Sequence, residues 1–337
     1  MRNVYLLLFS LLFPLCTLAQ DIHFSQFYAS PLTLNPTLTG FSQGDYRVAA
    51  IYRNQWATVT SPYQTFAASY DMRILKNKVK KDIFGVGFVA VHDHSANNVV
   101  SLLSGYLSTS YHKLLSKKGN HYLGLGIQAG YVQRQLKTNG LTFPTLFNGT
   151  DFDPSLSSGE NFANTTIGYF DLNAGLLWST TPHERVGLYQ GVSVYHLTQP
   201  KESFMNQDVH LKMRYTIHGG LRIKLHQRWY LTPNYIVMSQ NKAMEINLGT
   251  AVEYHLGAAT DPVVLSLGGW WRTGDAGIIS AGAEFKGIRL GLAYDVTTSG
   301  LQAAPKPTGG FEIALIYTGK FGGGRDPGPV LVPCPRL

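Results

Sequence analysis

The sequence predicts an all-β fold: a transmembrane antiparallel β-barrel of about 14 strands behind an irregular, plug-like N-terminal segment. Three observations carry this. From Asp45 onward the chain falls into segments of roughly ten residues with period-2 alternation. The composition is rich in Gly (35) and in Tyr and Phe (19 and 17) but only 14% charged. The longest connections all fall on one side of the resulting meander.

The alternation is clearest in three places. Phe170, Leu172, Ala174, Leu176 and Trp178 oppose Asp171, Asn173 and Gly175. Tyr215, Ile217, Leu221, Ile223 and Leu225 oppose Arg214, Thr216, His218, Arg222 and Lys224. Ile246, Leu248, Val252 and Tyr254 oppose Glu245, Asn247 and Glu253. A soluble sandwich also alternates. Here, however, the apolar faces end in aromatics (Tyr52, Tyr70, Trp178, Trp229, Tyr254, Tyr317), as interfacial girdles do, and the polar faces mix Gly, Asn and charge of both signs, which suits a crowded, hydrated lumen. A lipid-facing sheet has to close, because an open edge would leave backbone groups unpaired in hydrocarbon.

The predicted strands are 45–55, 62–73, 83–94, 99–112, 120–134, 165–179, 185–196, 212–224, 228–239, 243–256, 262–273, 277–286, 288–297 and 309–319. With a periplasmic start, short turns centre on Leu75–Lys81, Leu114–Gly119, Thr180–Glu184, Leu225–Gln227, Gly257–Asp261 and Gly287. The long connections Leu136–Asn164, Leu197–Leu211 and Thr298–Thr308 then all lie outside. In the last strand, Thr308, Gly310, Ile313, Leu315 and Tyr317 follow the order of a barrel-assembly signal.

Residues 1–20 read as a cleaved secretory signal peptide. Arg2 and Asn3 precede the apolar run Val4–Leu15, broken only by Ser10 and Pro14, and Thr17-Leu18-Ala19 supplies small residues for cleavage near Ala19 or Gln20. The run is short of the roughly 20 residues a spanning helix needs, and no later segment supplies them. Leu15 before Cys16 disfavours a lipidation site. Cys16 leaves with the leader, so Cys334 remains as the one thiol, which excludes an internal disulfide and a Cys-rich metal site. The net charge of +8 loses only Arg2. Export argues against a nucleic-acid partner, and the charge is read as basic turns plus a charged lumen.

The barrel is assigned to 45–319, flanked by an irregular segment, 21–44, and a flexible periplasmic tail, 320–337, with both termini expected in the periplasm. In the former, Pro31, Pro36 and Gly40 break any long element, while Phe24, Phe27, Tyr28 and Leu34 need burial in the lumen or its mouth. The tail carries Gly322-Gly323-Gly324 and Pro327, Pro329, Pro333 and Pro335.

Several blocks resemble the PorP/SprF family. They are Asp21-Ile22-His23-Phe24-Ser25-Gln26-Phe27-Tyr28-Ala29-Ser30-Pro31 with Leu34-Asn35-Pro36 and Gly40, Tyr52-Arg53-Asn54-Gln55-Trp56, Ala68-Ser69-Tyr70-Asp71, His196-Leu197-Thr198-Gln199-Pro200, Tyr294-Asp295-Val296-Thr297 and Cys334-Pro335, in family order across the mature chain. The resemblance implies a bacterial outer-membrane component of the type IX secretion system of Bacteroidetes. Such a protein works among outer-membrane lipid, the translocon, periplasmic lipoproteins and large secreted or surface-attached cargo, sometimes in gliding motility, with no enzyme activity and no cofactor.

The partner-binding candidates are His23, Phe24, Ser25, Gln26, Tyr28, Asn35 and Pro36 in the N-terminal segment. To these are added Arg53 (side chain inward), Asn54, Gln55 and Trp56 at the external end of the first strand, His196, Thr198, Gln199 and Pro200 at the start of one long loop, and Phe143 and Phe147 in another, with Phe152 and Phe162 beside them. Lys76, Lys78, Lys80 and Lys81, and Lys117-Lys118, form basic periplasmic turns open to an acidic partner.

Enzyme readings find little support. His92-Asp93-His94 offers two histidines on one strand face without an evident third ligand, and zinc wants at least three. No Gly-x-Ser-x-Gly elbow occurs. Gly124, Gly126 and Gly130 lie mid-strand with the wrong spacing for a dinucleotide loop and are read as easing curvature or lumen crowding. The rival to a secretion component is a diffusion porin or small-molecule transporter, since Arg214, Arg222, Lys224, Glu245, Glu253 and Glu284 on inner faces would also suit a pore.

Overall fold

The computed structural model describes residues 21–57, 61–75, 81–95, 99–116, 121–138, 143–153, 155–156, 159, 164–205, 207–257, 263–299 and 309–321. The expected signal peptide, the tail beyond Phe321, Phe162, Thr308 and the lysines 76, 78, 80, 117 and 118 lie outside the described residues.

Strand succeeds strand in an antiparallel meander: β1 (Tyr46–Gln55), β2 (Tyr63–Ile74), β3 (Ile83–Ser95), β4 (Val100–Leu114), β5 (His121–Leu136), β6 (Thr166–His183), β7 (Val186–Tyr195), β8 (Arg214–Lys224), β9 (Trp229–Leu231), β10 (Asn234–Gln240), β11 (Ala243–Leu256), β12 (Val263–Arg272), β13 (Ala276–Phe285), β14 (Ile288–Thr297) and β15 (Gly309–Gly319). β9 and β10 lie end to end between β8 and β11, so they form one stave, and the barrel has the expected 14. The break falls at Thr232-Pro233, because Pro233 has no N–H to give the ladder. β15 pairs with β1 from Gly310↔Gln55 to Gly319↔Tyr46, which closes the barrel without a free edge.

The alternation is inside-out relative to a soluble protein. On β4, Ser104, Ser108, Ser110 and His112 are buried, whereas Leu103, Leu107 and Tyr111 are exposed. Leu107 is 70% exposed and Phe170 77%. Such side chains ringing the whole barrel make an apolar belt that only lipid satisfies. No helix among the described residues is long and apolar enough to cross a membrane, and the apolar belt lies on the strands. Exposed aromatics edge the belt at both ends. Tyr70, Trp178, Trp229 and Tyr317 mark the end bearing the short turns, and Tyr131, Phe170, Trp271 and Tyr294 the end bearing the long loops. Of the other expected girdle residues, Tyr254 packs its ring 4.5 Å from Trp229 and Tyr52 lies toward the loop end, both half-buried.

The 21–44 segment fills the lumen. It contains a 3-10 turn at Phe27–Ala29, one α-helical turn at Pro31–Leu34 and a second 3-10 turn at Pro36–Leu38. Pro31 and Pro36 start their turns, where a missing N–H costs nothing. The apolar residues of the segment seed two interior clusters. Phe27, Leu34, Leu38 and Phe41 pack with Tyr122, Leu177, Ile236 and Trp270, and Phe24 and Leu32 pack with Ile51, Val89, Val91 and Ile316.

Candidate functional site

The described chain enters the lumen at the loop end and leaves it at the turn end. Asp21 donates its backbone N–H to Gln240 Oε1 (2.9 Å), at the loop end of β10. Ser25 and Gln26 lie beside Arg53, Asp295 and Glu312, in the loop-end halves of β1, β14 and β15. Asn35 Nδ2 reaches the carbonyls of Leu176 (3.1 Å) and Val192 (3.2 Å) and the His218 ring (3.0 Å), midway down β6, β7 and β8. The Thr37 carbonyl meets His112 Nε2 (2.8 Å), and Ser110 Oγ donates to the Thr39 carbonyl (2.6 Å), both near the turn end of β4. Gly40 N–H then donates to Asp71 Oδ2 (2.7 Å), and Arg47 clasps the same carboxylate from β1 (3.0 Å). The segment thus runs antiparallel to β1, and the two ends of the described chain, Asp21 and Phe321, lie at opposite ends of the barrel.

Close backbone approach makes the lower seat. A Cβ on Gly126 would stand 2.5 Å from Pro36 C and Thr37 Cα, and one on Gly85 would stand 2.7 Å from Thr39 C. Any side chain at either place would displace the segment. The reading of Gly126 as relief of lumen crowding takes specific form here, since what crowds the lumen is the chain's own N-terminal segment.

Charge makes the upper seat. Arg53 lies between Glu312 and Asp295 (3.0 Å to the latter), and Arg272 reaches the same Asp295 (2.9 Å) and Asp275 (2.8 Å). Two buried guanidiniums therefore balance the buried Asp295 and Glu312 carboxylates. Further donors come from the plug: Ser25 N–H to Glu312 (2.6 Å), Gln26 N–H to Glu312 (2.8 Å) and Ser25 Oγ–H to Asp295 (2.7 Å). His23 stands 3.4 Å from Glu245. Burial, and then the charges of Arg272 and Arg53, push the His23 imidazole down to about 3, so the ring is neutral and this contact is not an ion pair.

At the mouth, His196 holds Asp21 through Nε2 (2.6 Å) and Asp171 through Nδ1 (2.7 Å), with Arg214 Nε 3.6 Å from Asp21. Burial opposes charge on His196, but the hydrogen bonds to Asp171 and Asp21 outweigh it and raise the imidazole to about 9. Burial likewise raises the Asp21 carboxyl, yet His196 and Arg214 hold it well below the usual carboxylate range. The plug's first described residue is therefore clamped by charge to β6, β7 and β8.

The partner-binding candidates separate into two sets. Phe24, Ser25, Gln26, Asn35, Pro36 and Arg53 are buried inside the barrel, with His23 and Tyr28 only partly exposed. His196 is buried in the clamp. The reach of these residues is to the lumen wall. Asn54, Gln55 and Trp56 are half-exposed at the loop-end rim, where Trp56 packs edge-on against Tyr63. Thr198 is exposed and Gln199 and Pro200 partly so. Phe147 is exposed and pairs with Phe152 across a small bridge (rings 5.4 Å apart), with Phe143 half-buried beside them. Sequence reasoning did not single out Arg272, Glu312 or Asp21 as anchors of the plug. Their contacts join distant parts of the chain: Glu312 meets Ser25 and Gln26 across 287 and 286 residues, Arg272 meets Ser25 across 247 and Asp21 meets Gln240 across 219.

His92 and His94 stand ring to ring at 5.3 Å, while Asp93 accepts from Thr65 (2.6 Å). No group of three or more His, Cys, Asp or Glu suited to a metal is assembled among the described residues. Five of the six porin-like charges are paired, Arg222 with Glu253 (3.1 Å), Glu284 with Arg289, Glu245 with Arg272 (3.6 Å) and Arg214 with Asp21 (3.6 Å), while Lys224 Nζ lies 5.9 Å from the Tyr230 ring centre.

The fold is similar to solved outer-membrane channels. A TodX deletion mutant, a monoaromatic hydrocarbon channel, superposes with a TM-score of 0.53 at 10% identity, covering 86% of this chain and 94% of that one. A Pseudomonas aeruginosa FadL homologue gives 0.51 at 10% identity, covering 84% and 92%. The CymD monoaromatic hydrocarbon channel gives 0.50 at 12%, covering 87% and 93%. At these identities the likeness is one of fold alone. No curated protein matches the sequence. A family model described as "Type IX secretion system membrane protein PorP/SprF" matches residues 17–317.

Proposed function

We propose that this chain, which belongs to the PorP/SprF family of type IX secretion system membrane proteins, works as a plugged outer-membrane platform. Its loop end docks secreted or surface-attached cargo, and its turn end links the translocon to periplasmic partners. The observation that carries this reading is the lumen occupied along its length by residues 21–44, bonded to the wall from Gln240 at one end to Asp71 at the other. A barrel so filled offers its rims to partners. The exposed Phe147–Phe152 pair and the Thr198–Pro200 stretch supply loop-end contact surface.

The test is affinity capture of the full-length protein from detergent-solubilised membranes, read by mass spectrometry. Recovery of secretion components or a large surface protein supports the platform. Recovery of neither counts against it. Planar-bilayer recording separates the porin alternative, since steady open channels from the purified barrel would favour a pore and silence the plugged platform.

A further inference from the structure

We infer that the processed amino end of this protein is a cell-surface terminus, carried up through the lumen by the plug and fastened at the outer mouth. The inference rests on the outer-membrane reading of the barrel, in which the end with the long loops faces outward. Four observations support it. The contacts of the 21–44 segment descend in order, from Gln240, His196 and Arg214 at Asp21, through His218 at Asn35, to Asp71 at Gly40. The segment therefore has one direction, with its first residue outermost. Asp21 is built in at that level by His196, Arg214 and Gln240, so its place does not depend on the chain before it. A cavity of about 140 Å³ lies beside Asp21 and Ile22, bordered by Asp93 and Arg134 near the loop ends of β3 and β5 and by Leu211 in the connection before β8. It leaves open space beside Asp21 at that level, reaching inward to Leu32, Val89 and Gln128. Finally, Gly126 and Gly85 leave no space between wall and plug lower down, so the segment is seated as the wall closes around it.

The geometry also orders two events. A signal peptide still held by the export machinery of the inner membrane sits on the periplasmic side. The residue it is joined to cannot then occupy a site at the opposite mouth of a membrane whose apolar band is about 25 Å tall. Leader removal precedes plug seating, and the Asp21 clamp forms on processed chains.

The experiment uses the full-length protein in its native bacterium, with a short hydrophilic epitope placed in separate strains between Gln20 and Asp21, at Asp208 in the 196–213 connection, or at His226 in the 225–228 turn. Intact cells are treated with a protease. The expected result is loss of the amino-terminal and Asp208 epitopes together while the His226 epitope survives until the outer membrane is permeabilised. Survival of the amino-terminal epitope alongside His226 overturns the inference. Loss of the His226 epitope with survival of Asp208 would instead overturn the sidedness of the barrel, a failure distinguishable from the first. Should the amino-terminal epitope block assembly, Ile22→Cys in a Cys334→Ser background replaces it. Labelling by a small membrane-impermeant thiol reagent on intact cells is expected, and labelling only after permeabilisation overturns the inference. Mass spectrometry of the assembled barrel should find the first peptide beginning near Gln20 or Asp21; an intact leader on a seated plug overturns the order of events.

Discussion

The inner and outer faces of the same strands solve opposite problems. On β4 the outward Leu103 and Leu107 have no polar group to satisfy and need only lipid, whereas the inward Ser108, Ser110 and His112 each meet a named atom of the plug. The outer face is therefore tolerant in detail and strict in polarity. The inner face is permissive in polarity and strict in detail, because each group removed leaves a buried partner unsatisfied. Identical substitutions should accordingly have opposite costs on the two faces.

Breaking the charged upper seat is the severest test of that contrast. Arg53→Ala strands Glu312 and half of Asp295's pairing inside the lumen, and should destabilise the barrel by about 3–5 kcal/mol. Urea unfolding in detergent micelles measures this. Arg53→Ala combined with Glu312→Gln should recover part of the loss, and failure to recover any would mean that packing rather than charge holds the seat. On the outer face, Leu107→Arg places a charge near the middle of the apolar belt and should cost about 2–4 kcal/mol, read in lipid vesicles. Leu107→Ile should be near neutral. A neutral Leu107→Arg would break the lipid assignment of this face.

The neutral lower seat gives a smaller effect. Gly126→Ala forces Pro36 and Thr37 away and should cost about 1–3 kcal/mol. Proteolysis should then open the plug near Thr39 while the strands keep their circular dichroism. This position also marks the limit of what the sequence made legible. The staves were visible because a period of two is local: β11 to β15 and β1 to β5 all begin and end close to the predicted limits. The exceptions have local causes. Pro233 splits the stave expected at 228–239, and β6 runs on to His183 rather than stopping at 179, its pairing with β7 shifting register between Thr180 and His183. Phe24, Phe27 and Leu34 showed that 21–44 needed burial. Its direction and its seat were hidden, because the contact between Gly126 and Thr37, or between Ser25 and Glu312, is set by closure of the whole ring and leaves no mark on neighbouring residues. The same holds for Arg53, whose inward side chain was legible while the three distant groups around it, Ser25, Glu312 and Asp295, were not.

The clamp at the outer mouth sharpens the comparison most finely, because it is the part of the inner seat that pH reaches. His196 is raised from 6.5 to about 9 in the folded protein, so its contribution is complete below about 6.5 and disappears as pH rises through 9. Asp21 is depressed, so its contribution is present above its ordinary value of 3.8 and is lost as pH falls through the lower folded value. The two together hold the plug's first residues most firmly between those limits. Raising pH from 6.5 to 9.5 should loosen that end by on the order of 1 kcal/mol, once screening at the partly solvated rim is allowed for. The measurement is protection of the 21–26 amides by hydrogen exchange, corrected for the intrinsic rate at each pH, with Thr37–Gly40 as internal reference. His196→Gln keeps hydrogen bonding and removes the charge, and it should show the weaker protection at every pH with no step between 6.5 and 9. An unchanged step in that variant would transfer the pH dependence from the clamp to the barrel wall, and the outer mouth would then be held by the same neutral contacts as the lower seat.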